Sequence, residues 1–188
     1  MQTVHSVEQI VFVNADGTPT GEVGPKLASH TADTRLHLAF SCYVFNDRGE
    51  FLVTQRAHVK KVWPDVWTNS VCGHPAPGED MVAAIKRRLA YELGMEATDF
   101  QIVLPRYRYT TPPYNGIIEN EFCPVFVARA SSVVLPNPEE VDDCKWLSWD
   151  DFVREAEADV SDIWSWWCKD QLKQLKNNAV IAQYVEAR

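Results

Sequence analysis

No stretch of the 188-residue sequence stays apolar for the roughly 18–20 residues that a membrane-crossing helix needs. A basic segment followed by a short apolar core is missing as well, so no secretory signal is expected. Glycine is scarce, at 8 residues, and no Gly/Ser tract, low-complexity run or internal repeat divides the chain. That excludes a flexible linker between two domains and a repeat array. The cysteines are odd in number: Cys42, Cys72, Cys123, Cys144 and Cys168 stand without the spacing of a disulfide framework. A reduced, cytoplasmic protein is the simplest expectation. Cations are outnumbered, 18 Lys and Arg against 26 Asp and Glu, for a net charge of −8. This argues against a non-specific nucleic-acid binder or a basic membrane-surface protein.

What is present is the balance of an ordinary globular protein, with 46% hydrophobic and 23% charged residues. One domain spanning 1–188 is expected from the length. The acidity is uneven. Between Lys26 and Arg108 there are 11 cations and 9 acids, against 7 cations and 17 acids elsewhere. A small anionic ligand therefore has a place in the middle of the chain. The run from Glu139 to Asp162, with ten acids and two cations, reads as a solvated outer face.

Glu8–Val13 reads as a strand closed by the turn Asn14-Ala15-Asp16-Gly17. Leu36–Phe45 reads as one long strand. One of its faces carries Leu36, Leu38, Phe40, Cys42 and Val44; the other carries His37, Ala39 and Ser41, small or polar groups suited to a cavity wall. Phe51–Arg56 follows a turn as its paired strand. Val82, Ile85, Leu89 and Leu93 predict a helix over about 80–93, stopped at Gly94. Further strands are expected near Ile102–Tyr109, Ile118–Ala128 and Lys145–Leu147. Ser148 opens a capped helix, and a last helix aligns Trp164, Cys168, Leu172, Leu175, Ala179 and Ala182. Antiparallel strand pairs packed with helices give an α+β or mixed α/β class.

Gly73, Glu79, Arg87, Glu92 and Gly94 fall at the intervals of the Nudix box, which the segment resembles. In that family a loop–helix–loop aims several Glu side chains at a metal bound to a diphosphate. Two positions depart: Arg87-Arg88 stands for Arg-Glu, and Tyr91-Glu92 for the paired Glu-Glu. A plain amphipathic helix with a solvated charged face would explain the charges but not the glycine spacing. The stretches His30-Thr-Ala-Asp-Thr-Arg-Leu-His37, Trp67-Thr-Asn-Ser-Val-Cys-Gly-His74-Pro75 and Glu119-Asn-Glu121, and more loosely Trp164-Ser-Trp166, closely resemble type 1 isopentenyl-diphosphate isomerase. They agree in order, from about Val11 to the C-terminal helix. The resemblance implies a Nudix-type fold of mixed β-sheets flanked by helices, acting on isopentenyl diphosphate and dimethylallyl diphosphate.

His30, His37, His74, Glu119 and Glu121 make a three-histidine, two-carboxylate set suited to Zn²⁺, Mn²⁺ or Mg²⁺. Glu119 and Glu121, two apart on a strand, share a face. His30 precedes the strand, so its ligation would require that segment to close on substrate. His5 and His58 are assigned no role. The resemblance implies Cys72 and Glu121 as an acid/base pair, with Tyr109 on the glutamate. Trp166 would stabilise a carbocation through its ring face, and Trp164 would be core. Cys42, Cys123, Cys144 and Cys168 fit core packing. The family's diphosphate cations correspond to Arg56, Lys60 and Arg88, with Lys26 a fourth. A second ion, Mg²⁺ on the substrate diphosphate, is implied at Glu92 and the Cys72 carbonyl. Lys61, Lys86 and Arg87 read as surface. The partner is thus a small prenyl diphosphate, with no nucleic acid and no membrane insertion, and the protein a monomer or weak homodimer. Two other functions fit in part: a Nudix diphosphohydrolase, and an inactive binder of prenyl diphosphates.

Overall fold

The structure, a computed structural model, describes residues 8–187. In chain order its elements are β1 (Gln9–Val13), β2 (Pro19–Pro25), α1 (Lys26–Ser29), β3 (His37–Leu38), β4 (Phe40–Phe45), β5 (Phe51–Arg56), β6 (Trp67–Thr68) and β7 (Val71–Gly73). There follow α2 (Met81–Leu93), β8 (Ala97–Leu104), β9 (Arg108–Thr110), β10 (Asn120–Phe122), β11 (Val125–Ala130), β12 (Val141–Leu147), α3 (Trp149–Ala158), α4 (Trp166–Leu175) and α5 (Ala179–Val185). The larger sheet runs β12-β5-β4-β11-β8, with β6 on β5 and β7 on β4; the smaller runs β2-β1-β3-β10-β9. Mixed sheets flanked by helices agree with the α+β expectation. The pairing is not antiparallel throughout, because β4–β11 and β3–β10 are parallel.

The strand expected over Leu36–Phe45 is broken at Ala39, with β3 in the small sheet and β4 in the large one. Ile118–Ala128 breaks likewise between Phe122 and Val125, at Pro124, which has no N–H for a ladder. The two stretches cross from sheet to sheet side by side. Ala39 N–H bonds Phe122 O at 2.9 Å and Ser41 N–H bonds Pro124 O at 3.2 Å. The region expected as a strand over Ile102–Tyr109 is also two strands, β8 and β9.

All six residues of β4 are buried, so the face expected to line a cavity becomes core beyond Ser41. Phe40, Cys42 and Val44 pack with Ile85, Leu89 and Leu93 of α2, while Tyr43 and Phe45 pack with Phe152, Leu172 and Tyr184. A central strand covered on both sides has no polar face. Asp80 caps α2 by accepting from Ala83 N–H at 3.1 Å, and Gly94 ends it with φ of 54°. Ser148 caps α3 on Asp151 N–H as expected. The expected single C-terminal helix is two. The Asn178 side chain accepts from Val180 and Ile181 N–H and restarts the helix in a new register. Ile181 and Tyr184 are consequently the buried residues there, and Ala179 and Ala182 are exposed.

Candidate active site

The seam between the two sheets builds the site. In the small sheet Glu121 is the register partner of both His37 and Tyr109, so three neighbouring strands align three side chains. In the large sheet Cys72 of β7 lies opposite Ser41 of β4. One cavity is lined by Cys72, His74, Tyr109, Glu119 and Glu121 and, further along, by Lys26, Arg56, Lys60, Arg88, Glu92 and Glu140. His30 and His37 stand behind its histidine end.

His30, His37, His74 and Glu119 place one ligand atom each within 4.8 Å of one another. His74 Nε2 lies 3.2 Å from His37 Nε2 and 3.1 Å from Glu121 Oε1. His30 Nδ1 faces the Lys26 carbonyl at 2.6 Å and His37 Nδ1 the Arg35 carbonyl at 2.9 Å. A carbonyl only accepts, so each ring carries its proton on Nδ1 and turns a bare Nε2 inward. Metal-binding imidazoles are held by such outer hydrogen bonds. His30 Nε2 and Glu119 Oε2 are buried, 2.9 Å apart, and neither has a hydrogen-bond partner. Two facing lone pairs of this kind call for a cation, and the donor set fits a divalent ion. A proton is the simplest stand-in. Burial pushes the His30 pKa down, but Glu119 more than offsets it and the value is raised. His74, deeper in, is pushed by burial down to about 4 and stays neutral. His30 reaches Glu119 with its segment already packed in place.

Tyr109 donates its hydroxyl to Glu121 Oε2 at 2.7 Å. Burial first, then the Glu121 charge, lifts the phenol well above its ordinary pKa, so it remains a donor. Burial likewise raises the Cys72 thiol to about 11, outweighing its hydrogen bonds with Ser41 and Asn69. At the other end, Arg88 pairs with Glu92 at 2.7 Å and Glu140 at 3.2 Å, and Lys60 also pairs with Glu140. Burial is the largest influence on Lys60 and Glu92, lowering the first and raising the second. Arg56 donates to the carbonyls of Val62 and Trp63, pinning a loop in which Trp63 and Asp65 hold φ of 45° and 66°. Gly73 lets the chain pass close to α2, since a Cβ there would come 3.0 Å from Arg88 Cγ and from the Phe40 ring and push them back by a few tenths of an ångström.

Three expectations change. Trp166 does not line this cavity; it packs on the outer side of Tyr109, ring centroids 5.9 Å apart, beside an external groove. The next residue, Trp167, lines the cavity, with Arg56 5.6 Å from its ring and Trp63 edge-on at 5.7 Å. The helix starts at Trp166, so one residue of register turns the side chain through about 100°. Glu140 belongs to the cavity and not to the outer face, which its place in an acidic run concealed. Arg87 pairs with Glu79 at 2.7 Å and also donates to the His74 carbonyl at 3.1 Å, so it is more than surface. Of the remaining residues, Trp164, Cys42, Cys123 and Cys168 are core, Cys144 is half-buried, and His58 is exposed on Asp65. His5 lies outside the described residues. Around Cys72 stand Ser41, from the strand face expected to wall a cavity, and Asn69 and Gln171, to which the sequence assigns no role; of these two only Asn69 sits in a recognisable motif.

A model of the NUDIX domain matches residues 35–176, and the chain belongs to the NUDIX family. Solved structures agree at the level of fold. A Deinococcus radiodurans protein matches with a TM-score of 0.61 at 19% identity, covering 80% of this chain and 90% of its own. A MutT NUDIX hydrolase from Burkholderia pseudomallei gives 0.55 at 18%, covering 75% and 98%. Closer in sequence are proteins named isopentenyl-diphosphate Delta-isomerase. That of Saccharopolyspora erythraea is 52% identical over 169 residues, 90% of this chain and 86% of its own. Those of Paenarthrobacter aurescens and Escherichia coli O139:H28 are 53% and 51% identical, over 77% and 84% of this chain and 78% and 84% of theirs. Within the NUDIX family, the chain belongs to the isopentenyl-diphosphate Delta-isomerases. Among the described residues no helix is long and apolar enough to cross a membrane.

Proposed function

We propose that the protein interconverts isopentenyl diphosphate and dimethylallyl diphosphate by moving a proton in and a proton out across the allylic carbons. The observation that carries this reading is the shared cavity: Cys72 and Glu121 line one end and Arg56, Lys60 and Arg88 the other. One of Cys72 and Glu121 gives a proton to C4, and the C3=C4 electron pair forms the new C–H bond, leaving the positive charge on C3. The other removes a proton from C2, and that C–H pair becomes the C2=C3 double bond. Protons balance, and the pair ends with its roles exchanged. An unactivated alkene is a weak base, so the cationic intermediate needs a stabiliser that is not an anion able to trap it. The Trp167 ring, with Trp63 at its edge, takes the role expected of Trp166, at about 0.5–2 kcal/mol per ring.

His30, His37, His74, Glu119 and Glu121 would hold a divalent ion, Zn²⁺, Mn²⁺ or Mg²⁺. When bound it supplies positive charge that keeps the carboxylates ionised and fixed. Arg56, Arg88 and Lys60 bind and orient the diphosphate, the arginines by their planar forks. Lys26 is the fourth cation, and Glu92, with the Cys72 carbonyl, would hold a Mg²⁺ carried in by the diphosphate. Hydrolysis is disfavoured by the helix itself. Arg88 occupies a position where the box carries Glu, is buried and grips Glu92, leaving too few carboxylates to activate water.

Supplying isopentenyl diphosphate in D₂O tests the reading. Deuterium entering the methyl groups is the expected result. Phosphate release would mean a hydrolase, and binding without turnover an inactive binder. Full turnover by Cys72→Ser would overturn the role of Cys72.

A further inference from the structure

Behind the Cys72 sulfur lies a set of polar side chains that the reading above does not use. Asn69, Ser41, Gln171 and Tyr43 are each at most 1% exposed. The Asn69 orientation is fixed, because its Nδ2 donates to the Cys42 and Val71 carbonyls at 3.2 and 3.0 Å. Oδ1 must then face the sulfur, which donates to it at 3.2 Å. On another side, Ser41 Oγ lies 3.4 Å from Cys72 Sγ and 3.5 Å from Cys123 Sγ. Gln171 Nε2 donates to Ser41 Oγ at 2.9 Å, and Tyr43 donates to Gln171 Oε1 at 2.9 Å. With its oxygen engaged by Gln171, Ser41 has its own proton free for sulfur.

Buried polar groups are costly unless fully paired, and here each is paired with another of the set, with the sulfur or with a backbone carbonyl. Its members come from separate elements: Ser41 from β4, Asn69 from the turn between β6 and β7, and Gln171 from α4. Trp167 and Gln171 are one turn apart on α4, so one helix face serves both the cavity wall and the sulfur. Of the two sulfurs near Ser41 Oγ, Cys72 is slightly nearer and alone lines the cavity, so it is the one placed to gain from the hydroxyl during the reaction.

We propose that Asn69 and Ser41, with Gln171 behind Ser41, are positioning residues that aim the Cys72 sulfur at the substrate. Asn69 accepts from the sulfur while it carries its proton, and Ser41 donates to it while it does not, after the proton has gone to carbon or before one is taken from carbon. This rests on the reading of Cys72 as one member of the proton-exchanging pair. A thiol turns freely about its Cβ–Sγ bond, and proton transfer to carbon demands alignment, so a loose sulfur is a poor catalyst.

The test measures kcat and KM of the metal-loaded protein for Ser41→Ala, Ser41→Thr, Gln171→Met, the Ser41→Ala/Gln171→Met double variant and Cys72→Ser. Ser41→Ala and Gln171→Met should each lower kcat by roughly 10- to 100-fold with KM little changed, the scale of a misaligned reacting group. Ser41→Thr, which keeps the hydroxyl, should recover most of the loss. The double variant should fall no further than Ser41→Ala, because Gln171 acts through Ser41. Thermal midpoints identify variants that fold. If Gln171→Met does not, Gln171→Glu keeps the shape, removes the donor to Ser41 and should lower kcat equally. Wild-type kcat in Ser41→Ala and Gln171→Met, with Cys72→Ser inactive, overturns this proposal alone. An equal loss in Ser41→Thr and Ser41→Ala also overturns it. Full activity in Cys72→Ser overturns the reading beneath it.

Discussion

The Tyr109 hydroxyl and Glu121 Oε2 are 2.7 Å apart and their residues are register partners on adjacent strands. The phenol is therefore held to one carboxylate oxygen by the sheet itself, while the other oxygen faces His74 at 3.1 Å. Tyr109→Phe keeps the ring and removes only this bond. A hydrogen bond to a charged group is worth about 1.5–3 kcal/mol, so kcat should fall roughly 10- to 100-fold. Steady-state kinetics should show KM nearly unchanged, since the cations at the far end of the cavity are untouched.

Metal loading should stabilise the fold as well as enable turnover. The ligands come from α1's C-terminal edge, β3, the loop after β7 and the β10 region, so an ion ties together segments distant in sequence. At 100-fold excess over its dissociation constant a bound ion adds about 2.7 kcal/mol. For a chain of this size that is roughly 5–10 °C in melting temperature. Chelator dialysis should remove the increment and the turnover together. Glu119→Gln should bind less metal by elemental analysis and show a smaller shift.

The tryptophan register separates two neighbouring residues. Trp167→Leu should lower kcat by roughly 2- to 30-fold, the equivalent of about 0.5–2 kcal/mol from a ring face. Trp166→Phe keeps an aromatic ring against Tyr109 and should cost far less. An equal or larger kcat loss in Trp166→Phe would reverse the assignment.

Asp159 should matter to stability in a pH-dependent way. Its side chain, 3% exposed, accepts from the N–H groups of Ser161, Ile163 and Trp164 and pairs with Lys169. Burial works against the carboxylate, but these donors outweigh it and its pKa is lowered. A folded pKa below the unfolded value of about 3.9 means that this stability is present above that pH and lost as pH falls through the folded value. Asp159→Ala should thus lose about 1.5–3 kcal/mol at pH 7. Urea unfolding at pH 7 and near pH 3 should show the difference shrinking in acid.

Local signals in the sequence were reliable where a short segment decides its own structure. The start of α2 near position 80, the cap at Ser148 and the stop at Gly94 needed no distant partner. The break at Ala39 was hidden, because alternation looks the same whether a strand stays in one sheet or crosses to another. The C-terminal helix reads as continuous in the sequence, and the Asn178 cap resets a periodicity that composition alone continues. Glu140 lay within an acidic run, and nothing local distinguishes an acid facing solvent from one facing Lys60 and Arg88.

The sequence by itself determined which chemical groups are available: three histidines, two glutamates two apart, one cysteine between a tryptophan and a histidine, and a basic middle in an acidic chain. Motif order sufficed for these, since each is written in contiguous residues. The tertiary structure alone decided how they face one another. It gave His30 and Glu119 opposed lone pairs, put Trp167 and not Trp166 on the cavity, and seated Ser41 and Gln171 behind Cys72. Such choices depend on side-chain direction across a sheet seam and a helix start, where one residue of register moves a group to the opposite wall.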